Sequence, residues 1–155
     1  MDDRPTFYYN NQPIRAAGVL LWTRHNGYIM RLFRKVNGNF EDIGGKSDAK
    51  DSDELDIAIR EACEETHGKI FSEYDTHEEC ARRLYRHIVN NSDVQYNPNS
   101  KYVLFRVYVH PTILNLDMKR FGLAEKTDWG TLHYYYQWRR NIPYKLHTRI
   151  RGLRL

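Results

Sequence analysis

The chain has few of the residues that would stabilise a small secreted protein or carry one into a membrane. Its 155 residues include 2 cysteines, too few for a disulfide framework or a thiolate metal site. The segment 1–5 is polar, so we expect no signal peptide, and no apolar run approaches the length of a membrane span. These absences predict a cytoplasmic protein of a reducing compartment, with no membrane partner.

Acidic residues are also missing from the last part of the chain. No Asp or Glu follows Asp128, and the net charge of the whole chain is +4. Two interpretations of this basic tail stay open. It binds a polyanion such as RNA, or it is an ordinary solvated surface. The tail contains Arg139, Arg140, Lys145, Arg149, Arg151 and Arg154.

Aromatic residues are plentiful, with 12 Tyr, which argues against disorder. A chain of this length can bury a substantial core without needing a second domain. We therefore expect residues 1–155 to form one domain.

One segment in the middle of the chain is predicted to be a helix with two distinct faces. Ser52 or Asp53 is a suitable N-cap, and Gly68 lies where helices commonly end. Because Cys63 falls on the apolar face, we expect it to be a core residue rather than a reactive thiol. That face is formed at steps of three and four residues by Leu55, Ala58, Ile59, Ala62 and Cys63.

Three glutamates share a different face of this helix. Glu61, Glu64 and Glu65 are spaced i, i+3, i+4, so their carboxylates lie side by side and repel one another. A hard divalent cation such as Mg²⁺ or Mn²⁺ would relieve the repulsion, because these ions prefer oxygen ligands. Arg60 lies one turn before Glu64 and can hold that carboxylate in place. The alternative is a solvated acidic helix with i,i+4 ion pairs.

Together with the glycines upstream, this segment resembles the Nudix box. In that pattern a glycine and a glutamate precede Arg-Glu, an apolar residue, Glu-Glu and a second glycine. The resemblance implies a Nudix-like α/β/α sandwich with a mixed sheet over nearly the whole chain. It spans residues 45–70 and is carried by Gly45, Arg60, Glu61, Ala62, Glu64, Glu65, Gly68 and Ile70.

The segment departs from the pattern at three positions. Arg60 and Gly68 each come one residue late, and the upstream glutamate is missing. Counting forward from the first glycine puts Asp51 at that position, whereas counting back from Arg60 puts Ser52 there. We expect Asp51 or Asp53 to substitute for the glutamate, with Asp53 the better candidate for a helix cap.

The resemblance implies metal-dependent hydrolysis of a nucleoside diphosphate linked to another group. Arg60 would orient Glu64 for this reaction. The general base varies within the family, and the candidates here are Glu125, Asp128 and Glu61, with Glu125 favoured. The metal ligands implied by the resemblance are Glu61, Glu64, Glu65 and the carbonyl of Gly45.

Residues outside the helix are candidates for substrate contacts. Gly44 and Gly45 allow the backbone to come close to a ligand. Lys46 either meets a phosphate or remains solvated. Glu41 either accepts a hydrogen bond from the base or ribose or lies on a solvent-facing strand edge. Late aromatic residues can stack a base, although we expect more of them in the core; they are Trp129, Tyr134, Tyr135, Tyr136 and Trp138.

Strand patterns on both sides of the box predict the sheet. Asn26-Gly27 separates two apolar segments and is typical of a β-hairpin. A short strand followed by a turn is predicted within residues 1–14. The remaining strands are predicted over residues 16–23, 28–36, 40–43, 69–74 and 101–110.

Helices and loops are predicted for the rest of the chain. A capping box at Thr76 favours a helix that reaches Ile88, against the alternative of a strand over 83–89. Residues 90–100 are expected to form a loop, and residues 129–140 a helix that Pro143 ends.

The pattern does not select the group linked to the nucleoside diphosphate. Free nucleotides, ADP-ribose, dinucleoside polyphosphates, inositol pyrophosphates and capped mRNA are all candidates. The Gly-Gly-Lys run and the Glu-Glu-Thr-His-Gly sequence resemble a subgroup found in large DNA viruses and in microbes. This favours mRNA decapping, with RNA as a partner, as the first alternative. An inactive nucleotide-binding or RNA-binding module is the second; the missing upstream glutamate favours it and the three intact glutamates oppose it.

Overall fold

A mixed β-sheet lies at the centre of the part of the chain that the computed structural model describes, residues 4–36, 38–122, 124–126, 129–130 and 132–140. Its strands are β3 (Ala16–His25), β4 (Tyr28–Val36), β5 (Asn39–Glu41), β6 (Ile43–Lys46), β7 (Ser92–Asn97), β8 (Tyr102–Tyr108) and β11 (Tyr136–Arg139). They run in the order β11-β4-β3-β8-β7, with β5 beside β4 and β6 beside β3. The β3–β8 pair is parallel, and the other pairs are antiparallel.

Two short hairpins lie outside this sheet. β1 (Phe7–Tyr9) pairs with β2 (Gln12–Ile14), and β9 (Ala124–Lys126) pairs with β10 (Leu132–Tyr134). The first hairpin agrees with the strand and turn predicted for residues 1–14, although the structure adds a second strand. The predicted hairpin at Asn26-Gly27 is confirmed as the connection between β3 and β4.

The central strand β3 is buried on both faces, which explains its unbroken apolar run. Val19 and Leu21 join the larger core cluster, whereas Leu20 joins a smaller cluster on the opposite face. In β8 the same alternation sends Val103 to the larger cluster and Leu104 to the smaller one. A parallel pair needs cover on both faces, and its sequence therefore lacks the polar alternation of a half-exposed strand.

Both α-helices pack on the face that carries the larger cluster. α1 (Glu54–Glu65) contributes buried Ile57 and Ala62, and α2 (His77–Asn91) contributes buried Leu84. The two short 3₁₀ helices, Pro111–Asn115 and Met118–Phe121, add residues to the same cluster. Within the described ranges no helix covers the opposite face. The fold is therefore mixed α/β with a mixed sheet, and the second helical layer of the expected sandwich remains a prediction.

The two cysteines meet where α1 packs against α2. Their sulfurs are 3.5 Å apart, and both residues are buried free thiols. The hydrogen bond with Cys80 and then burial raise the pKa of the Cys63 thiol above its ordinary range. The structure thus agrees with the expectation that Cys63 is a core residue.

Three of the predicted elements are wrong. Residues 69–74 form no strand; the buried Arg120 side chain donates hydrogen bonds to the carbonyls of Lys69 at 2.8 Å and Ile70 at 3.0 Å. Residues 90–100 contain β7 instead of a loop, because α2 continues to Asn91 and the chain then pairs with β8. The alternative strand over 83–89 is also wrong, since these residues lie within α2.

The predicted helix over residues 129–140 is the fourth error. Residues 132–134 and 136–139 form the strands β10 and β11 instead. The register sets Tyr136 opposite Arg34 and Trp138 opposite Leu32, so β4 supplies the hydrogen bonds that a helix would have made internally. The aromatic residues in this segment favour strands, and pairing with β4 decided the outcome.

No helix among the described residues is long and apolar enough to cross a membrane.

Candidate active site

Helix α1 brings the glutamates to the end of strand β6. It begins after Asp53, whose side chain accepts a hydrogen bond from the Asp56 amide at 2.9 Å and caps the helix as predicted. At the other end, the amide of Gly68 donates to the carbonyl of Cys63 at 2.8 Å. His67 and Gly68 both have positive φ, 56° and 71°. His67 stands where the Nudix pattern has its glycine and itself takes the left-handed conformation, which accounts for a glycine that comes one residue late.

The Arg60 guanidinium donates hydrogen bonds to three acidic side chains and to one backbone carbonyl. Its Nε and Nη2 donate to the two carboxylate oxygens of Asp51, each at 2.9 Å. Its Nη1 donates to Glu61 at 3.1 Å and to Glu64 at 3.3 Å. Its Nη2 also donates to the carbonyl of Lys46 at 2.9 Å. The hydrogen bonds with Asp51 raise the pKa of Arg60 further, so the guanidinium stays charged.

Asp51 is the acid of this loop that pairs with Arg60. Its side chain is 2% exposed, and besides binding Arg60 it accepts a hydrogen bond from the amide of Asp48 at 2.8 Å. Asp53 instead caps the helix, and Ser52 is exposed. Asp51 thus contacts Arg60 and Asp53 caps the helix, and the replacement of the missing glutamate by Asp51 stays a prediction. The expected contact of Arg60 with Glu64 is also present, although Asp51 is the stronger partner.

Glu65 is contacted by residues of the sheet rather than by residues of its own helix. Nη1 of Arg34 in β4 lies 3.0 Å from a carboxylate oxygen of Glu65, whose side chain is 17% exposed. The hydroxyl of Tyr136 in β11 donates to the backbone carbonyl of Glu65 at 2.8 Å. Burial, and then the Glu65 charge, raise the pKa of Tyr136, so its phenol remains a donor. Neither Arg34 nor Tyr136 was expected in this role, because nothing in the sequence pairs them with the box.

Glu41 lies on the same face of the sheet as Arg34. It is the direct cross-strand partner of Arg34 in the β4–β5 register, and opposite residues of an antiparallel pair share a face. Tyr136 is the partner of Arg34 on the other side. The row Tyr136–Arg34–Glu41 therefore runs across the sheet beneath Glu65. Glu41 thus shares a sheet face with the residue that contacts Glu65, and its contact with the substrate stays a prediction.

Gly45 touches the carboxylate of Glu61. A Cβ atom added at position 45 would lie within 2.6 Å of both carboxylate oxygens. Real Cβ atoms do not approach oxygen this closely, so only glycine permits this position of Glu61. The structure thus brings together one proposed metal ligand and the glycine whose carbonyl the resemblance assigns to the metal.

Gly45→Ala should reduce activity about 10–100-fold, as for other changes that displace a metal ligand, and leave the fold intact. The Glu61 carboxylate is the end of a flexible side chain and can move away from the new methyl group, which displaces it from the site. Metal-dependent turnover and the thermal unfolding midpoint measure the two effects. Gly44→Ala is the contrasting variant, because its methyl group would come within 2.6 Å of the backbone carbonyl oxygen of Ala17, and should chiefly lower stability. Unchanged turnover of Gly45→Ala would contradict a role for the Glu61 position.

Gly44 faces the other side of the sheet and has a packing role. Its Cα lies against the hydroxyl of Tyr102, which donates to the buried carboxylate of Asp42. Gly18 on β3 packs against the same pair. Tyr102 and Asp42 therefore support the diglycine strand from behind, and no sequence pattern predicts this contact.

The remaining predicted site residues are Lys46, Glu125 and Asp128. The side chain of Lys46 is exposed, and only its carbonyl contacts Arg60. Glu125 lies in β9 opposite His133, and its role as general base stays a prediction. The other base candidate, Asp128, lies outside the described residues, as does the basic tail beyond residue 140.

Two arginines of the tail are described, and both contact aromatic rings. The guanidinium of Arg139 lies 5.3 Å from the ring centre of Phe40, and that of Arg140 lies 3.9 Å from the ring centre of Tyr28. These distances are typical of cation–π contacts. Both arginines thus have partners within the domain, and RNA binding by the tail stays a prediction.

The late aromatic residues lie in the core, beside a pocket or on the surface. Tyr136 is 1% exposed and belongs to the core, whereas Trp129 is 91% exposed. Tyr135 and Trp138 are partly buried against the core. A pocket of about 540 Å³ lies beside them, and its walls include Met30, Met118, Tyr134, Tyr136 and Trp138. Its size falls in the usual range of ligand pockets.

The side chains fit a hard divalent cation in their chemistry. The candidate ligands are carboxylates next to a glycine that leaves the backbone accessible, and magnesium and manganese prefer such oxygen ligands. Within the described ranges no three His, Cys, Asp or Glu side chains converge closely enough to form a ready cluster. Arg60 and Arg34 hold the three glutamates instead. A cation would therefore have to compete with these two arginines.

No protein-family model matches the sequence, and no curated protein matches it. Among solved structures, the chain is similar to the crystal structure of the C. elegans Ap4A hydrolase. The two chains are 16% identical, the match covers 82% of this chain and 80% of that one, and the TM-score is 0.45. A likeness this distant assigns no function, which must be argued from the site itself.

Proposed function

We propose that the chain hydrolyses the phosphoanhydride bond of a nucleoside diphosphate linked to another group, with Mg²⁺ or Mn²⁺ as its cofactor. The observation that carries the proposal is the arrangement around Gly45. The Glu61 carboxylate rests on this glycine, and Arg60 links that carboxylate to Glu64 and to the backbone of Lys46. Carboxylates held by arginines at an accessible strand end are suited to a metal-assisted reaction of a phosphorylated substrate.

Each of these residues has a distinct role in the proposal. Glu61, Glu64 and Glu65 would hold the cation, which when bound neutralises the diphosphate and lowers the pKa of the attacking water. Arg60 fixes the first two carboxylates from the loop side, and Arg34 fixes Glu65 from the sheet. These ion pairs limit the rotamers of the glutamates before a substrate arrives, which is the role of residues that surround metal ligands.

The pocket beside β11 supports a nucleoside as one part of the substrate. Tyr136 lines this pocket, and its hydroxyl donates to the backbone carbonyl of Glu65. Trp138 and Tyr134 supply aromatic surface, and stacking a base on such a surface contributes about 1–3 kcal/mol. Glu41, on the same sheet face, would accept a hydrogen bond from the base or ribose.

Capped RNA is the second candidate substrate, since it carries the same bond. The observation in its favour is a cavity whose lining includes Arg4, Arg15, Lys46 and Lys101. The third candidate is an inactive binding module. It is opposed by Asp51, which accepts two hydrogen bonds from Arg60 although the upstream glutamate is missing.

A substrate panel tests the proposal. Product masses would be measured with Mg²⁺ or Mn²⁺ for nucleoside triphosphates, ADP-ribose, diadenosine polyphosphates, an inositol pyrophosphate and capped RNA. We expect cleavage between phosphates for at least one nucleotide substrate, and none when EDTA removes the metal. Release of a capped nucleoside diphosphate from RNA would establish decapping. No cleavage of any substrate with either metal would contradict hydrolysis and favour the binding module.

A further inference from the structure

The sheet face opposite α1 and α2, which we call the second face, carries aromatic rings and cations. Successive side chains of a strand alternate between the two faces of a sheet. Because Leu20 on β3 and Phe33 on β4 belong to the smaller core cluster, Trp22 and Arg31 lie on the second face beside that cluster. Both side chains are partly exposed, and no helix of the described ranges packs on this face.

Strand register sets four of these side chains in one row. Trp22 lies opposite Tyr108 on β8 and Arg31 on β4, and Arg31 lies opposite Arg139 on β11. The rings of Trp22 and Tyr108 meet edge to face, with their centroids 5.1 Å apart. The guanidinium of the exposed Arg24 lies 5.6 Å from the centre of the Trp22 ring. Aromatic surface and positive charge therefore lie side by side across the sheet.

Three cations of the second face have no acidic partner. Arg24, Arg31 and Lys35 form no ion pair with an acid in the described part of the chain. Lys35 lies opposite Phe40, which packs on the smaller cluster, so Lys35 shares this face. Their charges are therefore available to an anionic ligand.

A small cavity of about 130 Å³ opens on this face, and its lining includes Trp22, Arg31 and Arg106. The single acid of its described lining, Asp93, lies 3.3 Å from Nη2 of Arg106. Asp42 also lies on this face but is buried. The charge that a ligand would meet here is therefore chiefly positive. The cavity is smaller than the usual ligand pocket, so it would admit one part of a larger ligand.

Charge complementarity selects the partner that fits this face. A second copy of the chain would bring the same cations against one another, and the C-terminal tail is itself basic, so both would be repelled. Among anionic partners, a single-stranded nucleic acid also matches the rings, because unpaired bases stack on aromatic side chains and on guanidinium planes. RNA commonly presents unpaired bases in its loops and ends, whereas DNA is mostly paired.

We infer that the second face binds single-stranded RNA, with a base stacked on Trp22 and backbone phosphates at the cations around it. Arg24 is exposed, so its guanidinium can leave the Trp22 ring for a phosphate when a base stacks there. The surface lies on the other side of the sheet from the glutamates of α1 and uses none of the residues that the proposed reaction needs. The inference therefore does not depend on the proposed function.

Fluorescence anisotropy with a labelled oligouridine in EDTA tests the inference. Oligouridine does not pair with itself, and EDTA removes the metal that hydrolysis would need. We expect binding that weakens steeply as salt is added, with each phosphate contact contributing about 0.7 to the slope of log affinity against log salt concentration. Arg31→Gln should weaken binding about 3–10-fold and reduce this slope by about 0.7.

Trp22→Leu should weaken binding about 5–100-fold, because it removes the stacking surface but keeps an apolar side chain. Trp22→Phe keeps a ring and should retain most of the affinity. Arg86→Gln and Tyr85→Leu are the matched controls and should leave binding unchanged, since both residues are exposed on α2, on the helical side of the sheet. If Trp22→Leu does not fold, Arg31→Gln compared with Arg86→Gln still decides.

Several results would overturn the inference. The wild type would not bind oligouridine, the controls would weaken binding as much as their matched variants, or duplex RNA would bind as tightly as the single strand. Competition by polyglutamate as strong as that by unlabelled RNA would show unselective anion binding, and tighter binding of the matching DNA strand would contradict the choice of RNA. Weaker binding of Arg151→Gln together with unchanged binding of Arg31→Gln would assign the RNA to the tail instead.

Discussion

Glu65→Gln should abolish metal-dependent hydrolysis while the protein stays folded. Glutamine has nearly the shape of glutamate and still offers an oxygen to Arg34, which lies 3.0 Å from the Glu65 carboxylate. The hydrogen bond from Tyr136 reaches the backbone carbonyl of residue 65 and is unaffected. What disappears is one negative charge next to the proposed cation. The effect on the reaction should therefore far exceed the effect on stability.

We expect activity to fall by more than about a hundredfold, because changes in residues that only surround a metal ligand already cost about 10–100-fold. Turnover over a range of Mg²⁺ concentrations, together with the thermal midpoint, gives both numbers. Glu78→Gln is the control, since Glu78 is an exposed acid in the first turn of α2, away from the site. Full activity of Glu65→Gln would remove this residue from the metal site.

Asp51→Ala should lower both stability and activity. The Asp51 side chain is 2% exposed and accepts two hydrogen bonds from Arg60, whose side chain is 17% exposed. Removing one partner of a buried pair leaves the other charge without compensation, at a cost of about 3–5 kcal/mol. Arg60 keeps Glu61 and Glu64 as partners, so we expect about 2–4 kcal/mol, which lowers the melting temperature by about 5–15 °C.

The activity of Asp51→Ala should fall through weaker metal binding. Without Asp51, the guanidinium of Arg60 would move onto the Glu61 and Glu64 carboxylates that the cation needs. The metal concentration for half-maximal activity should then rise about 10–100-fold. Asp53→Ala is the matched control, because it removes an acid from the same loop but only a helix cap, worth about 1 kcal/mol. Equal effects of the two substitutions would refute the special position of Asp51.

The pair of variants also separates an enzyme from a binding module. In an enzyme, Glu65→Gln removes activity at nearly constant stability, whereas Asp51→Ala removes stability and shifts the metal requirement. In a module without metal chemistry, Glu65→Gln would relieve repulsion among the three glutamates and leave nucleotide binding intact.

Helix α1 and the faces of its side chains follow from the sequence alone. The cap at Asp53, the buried Ala62 and the clustered glutamates depend on contacts within a few residues, and periodicity reports such contacts directly. The hairpin at Asn26-Gly27 is local in the same sense, and β8 is predictable because β-branched and aromatic residues dominate its sequence. By contrast, β7 and β11 are short and gain their hydrogen bonds from β8 and β4, so local patterns favoured a loop and a helix.

A carboxylate-bearing helix, an upstream diglycine and a set of apolar strands are all predictable from the amino-acid sequence. The pairing of Arg60 with Asp51 rather than Asp53 depends on the folded chain, and so do the contacts of Glu65 with Arg34 and Tyr136, which lie 31 and 71 residues away in sequence. The folded chain alone brings Arg4, Arg15, Lys46 and Lys101 around one cavity. The reason is physical: helix capping and periodicity are set by neighbours in sequence, whereas strand register brings together residues that carry no mark of one another.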